Sequence, residues 1–441
     1  MRSRRSFIKT VAATTMSVPL FGIAKPGVSA NEKLNFAAVG VGGRGAADLN
    51  GLMRTGQLNL LAIADVDDVR SQQSREKYPN ARVYKDWREL LEKEGDELDL
   101  ICVATPDHMH GPVSIEAMRM GIPVYGEKPL AHTLKETRYM SEFAKSEGLV
   151  TQMGSQYVSS MYERLAVQML QDGVIGKVKE VHAFCHKKWG DPTPLPQRKD
   201  PVPKTLDWDL WLGTAESRSF IGDKYYVPGQ WRKRLDFGTG TLGDMGCHIL
   251  SPVFRALDAH YPLTVKSVGA QPNASNWALN EKVEYVFPGS DMTEGETLKV
   301  TWSDGAALPP KKIIDVFGDQ MEEQGTIYVG TEGHLMVPFK KLPVPYPQKK
   351  YESYRYPKFP PRDHFRDFVS AVKGENVKPL ADFYDYGGPL TEIVLLGALS
   401  THFPNKLLKW DVNNLRFKNN REANRLVTKT YREGWEIEGI A

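Results

Sequence analysis

Asp244 and His248 lie four residues apart in the stretch TLGDMGCHIL, residues 241–250. On a helix that spacing puts a carboxylate and an imidazole on one face. Three chemistries use such a pair. A metal half-site would need a third ligand, and His182 and His186 are the donors the sequence offers. A structural contact would need only burial. A proton-transfer site would use the imidazole, which titrates near neutral pH. Cys247 adjoins His248 but points about 100° away around the helix, and it is assigned to the core.

A proton-transfer pair needs a reaction to serve, and the N-terminal part of the chain supplies one. Leu34 to Val39 is a short apolar run of strand type. It leads into Gly40-Val41-Gly42-Gly43-Arg44-Gly45, which fits G-x-G-x-x-G, and a helical segment follows. The first glycine permits a tight turn, the second lets backbone approach a pyrophosphate, and the third lets helix and strand pack closely. The helix N-terminus offers free N–H groups and partial positive charge to phosphates. A second apolar run, LNLLAIADVD, reaches Asp65, twenty residues past Gly45. A carboxylate there accepts hydrogen bonds from an adenosine ribose 2′-OH and repels a 2′-phosphate. Asp65 therefore favours NAD over NADP. Arg44, inside the glycine loop, is a candidate phosphate contact.

Strand and helix patterns keep alternating. RELLEKEG reads as helix, LDLICVATP as a buried strand, VSIEAMRMG as helix, PVYGEKP as strand, KETRYMSEFAKSEG as helix and LVTQMG as strand. This predicts a doubly wound parallel sheet, an α/β Rossmann domain. Ligands of such sheets sit beyond the carboxyl ends of the strands. Asp65, Thr105, Pro106, His110, Glu127 and Lys128 fall at those ends, and Gln156 follows the last strand.

The composition is ordinary for a globular protein: 441 residues, 41% hydrophobic and 25% charged. No run of about eighteen apolar residues suggests a membrane span. Three scattered cysteines, Cys102, Cys185 and Cys247, make neither a disulfide framework nor a zinc ribbon. The first thirty residues differ in kind. Arg4 and Arg5 precede a mild apolar stretch, and VSA ends at Ala30, the pattern of a twin-arginine secretion signal. Its removal takes away five basic residues (Arg2, Arg4, Arg5, Lys9, Lys25) and no acid, turning a formal charge of +3 into −2. Nothing then suggests a nucleic-acid partner. The expected division is a signal over 1–30, an NAD-binding domain over 31–153 and a second domain over 154–441. The expected location is the periplasm or another exported site, reached through the twin-arginine machinery, which moves folded proteins with cofactor aboard.

The glycine loop, ATPDHMHGPVSIEAMRMGIPVYGEKPLA, LQDGVIGKVKEVHAF and GQWRKRLDFGTGTLGDMGCHILSP together resemble the Gfo/Idh/MocA oxidoreductases, and the C-terminal EANRLVTKTYREGWE resembles a bacterial, often exported, branch of that family. The resemblance implies an α+β second domain with a large, open, mostly antiparallel sheet. It implies a nicotinamide near the E-K-P loop, with Lys128 facing substrate and Asp244 and His248 completing the site. It also implies a cis peptide before Pro129, and pairing of subunits through the open sheet face. Trp231 and Arg232, just before the Asp244 helix, are candidate substrate contacts. In the strand GKVKEVHAFCHKKWG, alternation puts His182, Phe184 and His186 on one face and Ala183, Cys185 and Lys187 on the other. One face should border the substrate, and the sequence does not choose. Two proline-rich stretches, GDPTPLPQRKDPVPKTLDWDLWLG and residues 338–361, read as long loops.

The chemistry expected is oxidation of a secondary alcohol of a sugar or polyol by a tightly bound NAD, with no metal. His248 is the expected base. Lys128 is the expected electrophile, its pKa open to lowering by burial. Asp244 holds a neighbouring hydroxyl and tunes the imidazole. Two alternatives stay open: a redox-neutral enzyme that cleaves glycosides or modifies keto-sugars with bound NAD, and a sugar-binding protein without catalysis.

Overall fold

The computed structural model describes residues 32–440. The Arg4–Arg5 signal and its cleavage site lie outside the described residues. Six strands build the first sheet: β1 (Leu34–Val39), β2 (Leu58–Ala64), β3 (Arg82–Tyr84), β4 (Leu100–Val103), β5 (Val124–Gly126) and β6 (Thr151–Met153). All pairs are parallel, in the order β3-β2-β1-β4-β5-β6. The winding reverses between β1 and β4, which opens a crevice at their carboxyl ends. Helices α1 (Arg44–Met53), α2 (Asp68–Lys77), α3 (Trp87–Glu94), α4 (Asp107–Arg119) and α5 (Leu134–Ser146) connect the strands. β4 reads LICV and is buried throughout, as a central strand covered on both faces must be. A reciprocal Thr133–Glu136 capping box starts α5.

The second sheet has nine strands: β7 (Val178–Cys185), β8 (Thr264–Ser267), β9 (Lys282–Pro288), β10 (Thr297–Asp304), β11 (Gln324–Gly330), β12 (His334–Pro338), β13 (Val344–Tyr346), β14 (Leu408–Asp411) and β15 (Arg416–Phe417). Their order is β13-β12-β11-β7-β10-β9-β8-β14-β15, and only β7 and β10 run parallel. Further helices are α6 (Met161–Gln171), α7 (Trp208–Leu212), α8 (Gly240–Ile249), α9 (Ser251–Leu257), α10 (Lys311–Ile314), α11 (His364–Val372), α12 (Gly388–Ser400) and α13 (Arg421–Arg425). α12 is apolar but for Thr391, Ser400 and Glu392, which pairs with Arg138 of α5, and it is buried along its whole length because it lies between α5 and α8. The other face of the sheet is partly covered by the chain itself. Ile313 and Phe317 pack there on Phe184, Ile327 and Met336.

Two segments beyond residue 154 return to the first domain. Phe368 and Val369 of α11 join the core that holds Phe36, Leu49 and Tyr125. A Cβ on Gly51 would lie 2.5 Å from the Phe365 ring, so α1 and α11 meet closely. In the C-terminal tail, Lys429 pairs with Glu136 at 3.1 Å and Tyr431 donates to the same carboxylate at 2.7 Å. A cut at residue 153 therefore divides the sequence, but the packed unit around the first sheet draws on later segments.

Candidate active site

The glycine turn at the end of β1 is held by close packing. Gly40 has φ +76°, and a Cβ there would sit 2.7 Å from the Ala104 carbonyl oxygen. A Cβ on Gly45 would lie 1.8 Å from the Gly40 carbonyl oxygen, so only glycine lets α1 press onto the strand. At Gly42 the limit comes from α2: a Cβ would meet Arg70 Cβ at 2.9 Å and Arg70 O at 3.0 Å. Gly43 precedes α1 and no side chain caps the helix; Gly45 N donates to Gly42 O at 3.1 Å, while the Gly42, Gly43 and Arg44 N–H groups have no partner among the described residues.

Two arginines lie near this turn, and their orientations differ from expectation. Arg44 is turned onto acids: it clasps Asp48, and its Nε donates to Glu127 Oε1 at 3.1 Å. Burial alone would lower its pKa, but Glu127 and Asp48 drive it up. Its charge is thus used inside the protein instead of being offered over the turn. Arg70, which sequence reasoning missed, takes that place. Its Nη2 lies 2.5 Å from where a Gly43 Cβ would be, and its guanidinium has no ion pair among the described residues. Asp65 also does more than expected. Its Oδ2 accepts from Val41 N at 2.9 Å and its Oδ1 from Asp67 N at 3.0 Å, tying the end of β2 to the turn. Burial raises its pKa.

The second domain reaches over this end of the cleft. Asp68 N donates to Thr205 O at 2.9 Å, Asp207 N donates to Val66 O at 2.9 Å, and Asp67 and Leu206 form an antiparallel bridge. The first proline-rich loop is therefore a roof fastened to the β2–α2 connection. Trp208 and Trp211 of this loop pack with Phe220, Tyr226, Trp231 and Phe237 of the segment that follows it into one apolar cluster. Trp211, Val227, Pro228 and Trp231 line the cleft opposite Gly40, Asp65 and Thr105.

At the end of β4, Thr105 and Pro106 lead into α4. Thr105 Oγ1 is buried without a partner. His110 is 1% exposed; its Nδ1 lies 2.8 Å from Pro129 O and its Nε2 2.7 Å from Thr105 O. Both ring nitrogens thus face backbone carbonyls, and His110 braces β4 against the E-K-P loop. The Lys128–Pro129 peptide is cis. Glu127 receives Arg44 and, at 2.9 Å, Gln156 Nε2, which also lies 2.6 Å from Tyr125 OH and 3.2 Å from Asp48 Oδ1. Burial would raise the Glu127 pKa, but Arg44 and Lys128 hold it down. Asp48, burdened by burial and by Glu127, is pushed well up. Gln156 therefore faces these acids.

Lys128 and Asp244 bring the two domains together. Lys128 Nζ lies 2.8 Å from Asp244 Oδ1 and 2.9 Å from Asp244 O. Arg232 Nε donates to the same Oδ1 at 3.1 Å, and Lys187 Nζ lies 3.6 Å from Oδ2. Burial would lower the Lys128 pKa, but Asp244 and Glu127 outweigh it and raise it. The expected lowering by burial is thus reversed, and the ammonium stays charged. Lys187 settles the choice of face on β7: the face of Ala183 and Cys185 borders the site. Lys187 was one of two possibilities in the sequence, and only the packed sheet selects it. The Arg232 guanidinium lies over Trp231 at 4.2 Å and over Trp189 at 5.5 Å.

Asp244 and His248 share α8, but the carboxylate turns to the three cations and the imidazole stacks on Phe339 at 5.4 Å. His248 Nδ1 is buried without a partner. Burial, then Lys128, lower its pKa to about 3, so the ring is neutral at ordinary pH. Direct tuning of the imidazole by an Asp244 hydrogen bond is absent among the described residues. His182 pairs with Glu180 at 3.5 Å on the opposite face of β7, and His186 with Glu323 at 3.6 Å, so neither joins α8. Among the described residues no group of three His, Cys, Asp or Glu is placed to hold a metal. Cys102, Cys185 and Cys247 are free and buried.

These residues fit a dinucleotide. The glycine turn leaves the Gly42, Gly43 and Arg44 N–H groups without a partner among the described residues, Arg70 supplies an unpaired cation, and the orphaned Thr105 hydroxyl lies at the edge of the same cleft.

Residues 34–155 match the family model described as oxidoreductase family, NAD-binding Rossmann fold, and residues 166–437 match that of the oxidoreductase family C-terminal alpha/beta domain. Levoglucosan dehydrogenase of Pseudarthrobacter phenanthrenivorans is 25% identical over 166 residues, 37% of this chain and 34% of that protein. An alpha-N-acetylgalactosaminidase of Shewanella oneidensis is 25% identical over 244 residues, 48% and 51% of the two chains. The matched stretches thus span about half or less of these curated relatives. Among solved structures, the WlbA dehydrogenase of Bordetella pertussis with NADH and UDP-GlcNAcA has a TM-score of 0.60 at 14% identity, covering 86% of this chain and 99% of that one. An inositol dehydrogenase homolog of Azotobacter vinelandii with NADH and myo-inositol has a TM-score of 0.55 at 17% identity, covering 86% and 98%. At these identities the structures show the shared fold.

Proposed function

The chain belongs to the Gfo/Idh/MocA oxidoreductase family, and from that premise we propose that it transfers a hydride between a retained NAD and a secondary alcohol of a sugar or polyol. The observation that carries this reading is the Lys128–Asp244 pair at 2.8 Å, which sets an ammonium where the two domains meet. A bound nicotinamide supplies the hydride acceptor. Lys128 donates to the alcohol oxygen and stabilises charge that develops there. Asp244 keeps that ammonium charged and oriented. His248, neutral and one helical turn away, takes the hydroxyl proton. Trp231 and Trp189 offer flat apolar walls to a sugar ring.

NAD rather than NADP fits the acids around the ribose end, Asp65 and Asp67, and Arg70 balances the phosphates. The roof over 205–207 fits a cofactor that stays bound through many turnovers. Retention in turn fits export through the twin-arginine route, because a folded protein would carry its dinucleotide out of the cytosol. A second reading, redox-neutral glycoside cleavage with bound NAD, draws support from the glycosidase relatives.

One experiment separates them. The purified protein is denatured and assayed for released dinucleotide. The intact protein is then offered free sugars, polyols and aryl glycosides while absorbance at 340 nm and products are followed. Reduction of the bound dinucleotide by a sugar or polyol supports the dehydrogenase. Glycoside cleavage without net reduction supports the second reading. Absence of any dinucleotide contradicts both.

A further inference from the structure

At the substrate end of the cleft, three cations converge on one carboxylate. Lys128 and Arg232 share Asp244 Oδ1 at 2.8 and 3.1 Å, and Lys187 approaches Oδ2 at 3.6 Å. The Asp244 side chain is 8% exposed. The other acid at the site, Glu127, shares Arg44 with Asp48. A fourth cation, Lys340, follows the Phe339 ring that stacks on His248 and has no ion pair among the described residues. Counting Asp244 itself, the carboxylate and its three cations together therefore carry two more positive charges than negative ones.

Such a surplus is costly where water is partly excluded, because unlike charges must supply what solvent no longer does. The cations also differ in what they have left to give. Two Lys128 donors point to Asp244, at its carbonyl and its carboxylate, which leaves one for a reacting oxygen. Arg232 spends only Nε on Asp244, and its fork of terminal N–H groups lies between two indoles. Half-exposed Lys187 can turn toward a ligand. A planar guanidinium with free donors beside an ammonium is suited to a carboxylate. Because Arg232 and Lys128 share one oxygen, a carboxylate on the first and a ring hydroxyl on the second belong to the same sugar.

We propose that the substrate is a sugar acid, whose carboxylate is held by Arg232 and Lys187 while a neighbouring ring hydroxyl faces Lys128. This rests on the oxidoreductase reading and narrows its substrate class. The carboxylate binds and is unchanged; the hydride and proton leave the carbinol as above.

The test uses the holoprotein as purified. Glucuronate and galacturonate methyl glycosides are compared with the matching neutral methyl glycosides, by calorimetric binding at low and high salt and by reduction of the bound dinucleotide. The acids are expected to bind at least tenfold more tightly than their neutral partners, with the preference falling as salt rises. Arg232→Gln and Lys187→Gln, checked for unchanged melting, should bring the ratio of acid to neutral binding towards one. Equal or tighter binding of the neutral sugars overturns the proposal, as does a preference that survives both substitutions or a failure of every acid to bind. Acid-selective binding with no sugar reducing the dinucleotide would sink the oxidoreductase reading and leave the anion selectivity standing. Reduction by neutral sugars alone would do the reverse.

Discussion

Lys128 Nζ and Asp244 Oδ1 are 2.8 Å apart although 116 residues separate them in sequence, so the proposed reaction centre is also the joint between the two domains. The partners contribute unequally. Lys128→Ala leaves Asp244 two cations, Arg232 and Lys187, and should fold. It should lower kcat by roughly 10²–10³, the loss typical of one donor to a developing oxyanion, and leave dinucleotide bound. Asp244→Ala strips the carboxylate from three cations. Breaking a buried pair from one side costs roughly 3–5 kcal/mol, so its melting temperature should fall markedly. Equal melting of the two variants would contradict this division of roles.

His248 predicts an unusual pH dependence. Its folded pKa is lowered to about 3. Between pH 5 and 8 the ring is already neutral, and protonation would remove the base only near pH 3. The kcat/KM profile should therefore show no limb near the usual histidine value, while His248→Asn should still slow turnover by roughly 10²–10⁴-fold. A limb near pH 6.5 that disappears in the variant would show that the ring is better solvated than its burial implies.

Arg44 and Arg70 should separate stability from cofactor affinity. Arg44→Ala leaves Glu127 and Asp48 buried without their cation and should lower the melting temperature. Arg70→Ala removes an unpaired guanidinium beside the glycine turn. Charge-assisted hydrogen bonds contribute about 1.5–3 kcal/mol, so its dinucleotide affinity should fall roughly 10- to 100-fold with melting of the stripped protein unchanged. Calorimetric titration of both variants after removal of bound dinucleotide decides the matter, and an exchange of the two phenotypes would reverse the assignment.

The roof makes a prediction about proteolysis. Its backbone bonds to the β2–α2 connection, Asp68 N to Thr205 O and Asp207 N to Val66 O, close over the cleft. Trypsin should cut at Lys199 and Lys204 faster in stripped protein than in protein with dinucleotide. Equal cutting rates would mean that the roof does not respond to the ligand beneath it.

Much of this arrangement was legible in the sequence, for identifiable reasons. The glycine turn and the alternation of strands and helices are local patterns, and they point to the doubly wound parallel sheet, though not to its strand order. The meeting of Lys128 with the Asp244 helix came from likeness to a family, because no spacing rule joins residues so far apart. The orientation of Arg44 was only half legible: an arginine in a glycine loop can face phosphate or protein, and of the buried acids that draw it inward Asp48 stands four residues on in α1, a local signal that went unused, while Glu127 is 83 residues away. Arg70 went unnoticed because its position on α2 meets the turn only after β1 and β2 pair. Alternation on β7 narrowed the site face to two options, and the packing of α8 on Ala183 and Cys185 selected the one that carries Lys187. The return of α11 to the first domain rests on Phe365 and Phe368, apolar residues whose partners no local pattern identifies.

The most direct measurement is a single turnover in the purified holoprotein, following absorbance at 340 nm after addition of a panel of sugars, sugar acids and polyols, with Lys128→Ala alongside. The account predicts a rise in the wild type with at least one of these alcohols and none on the same timescale in the variant, while both release equal amounts of dinucleotide on denaturation. A rise of the same rate and size in the variant, or no rise in either protein with dinucleotide present, would contradict it.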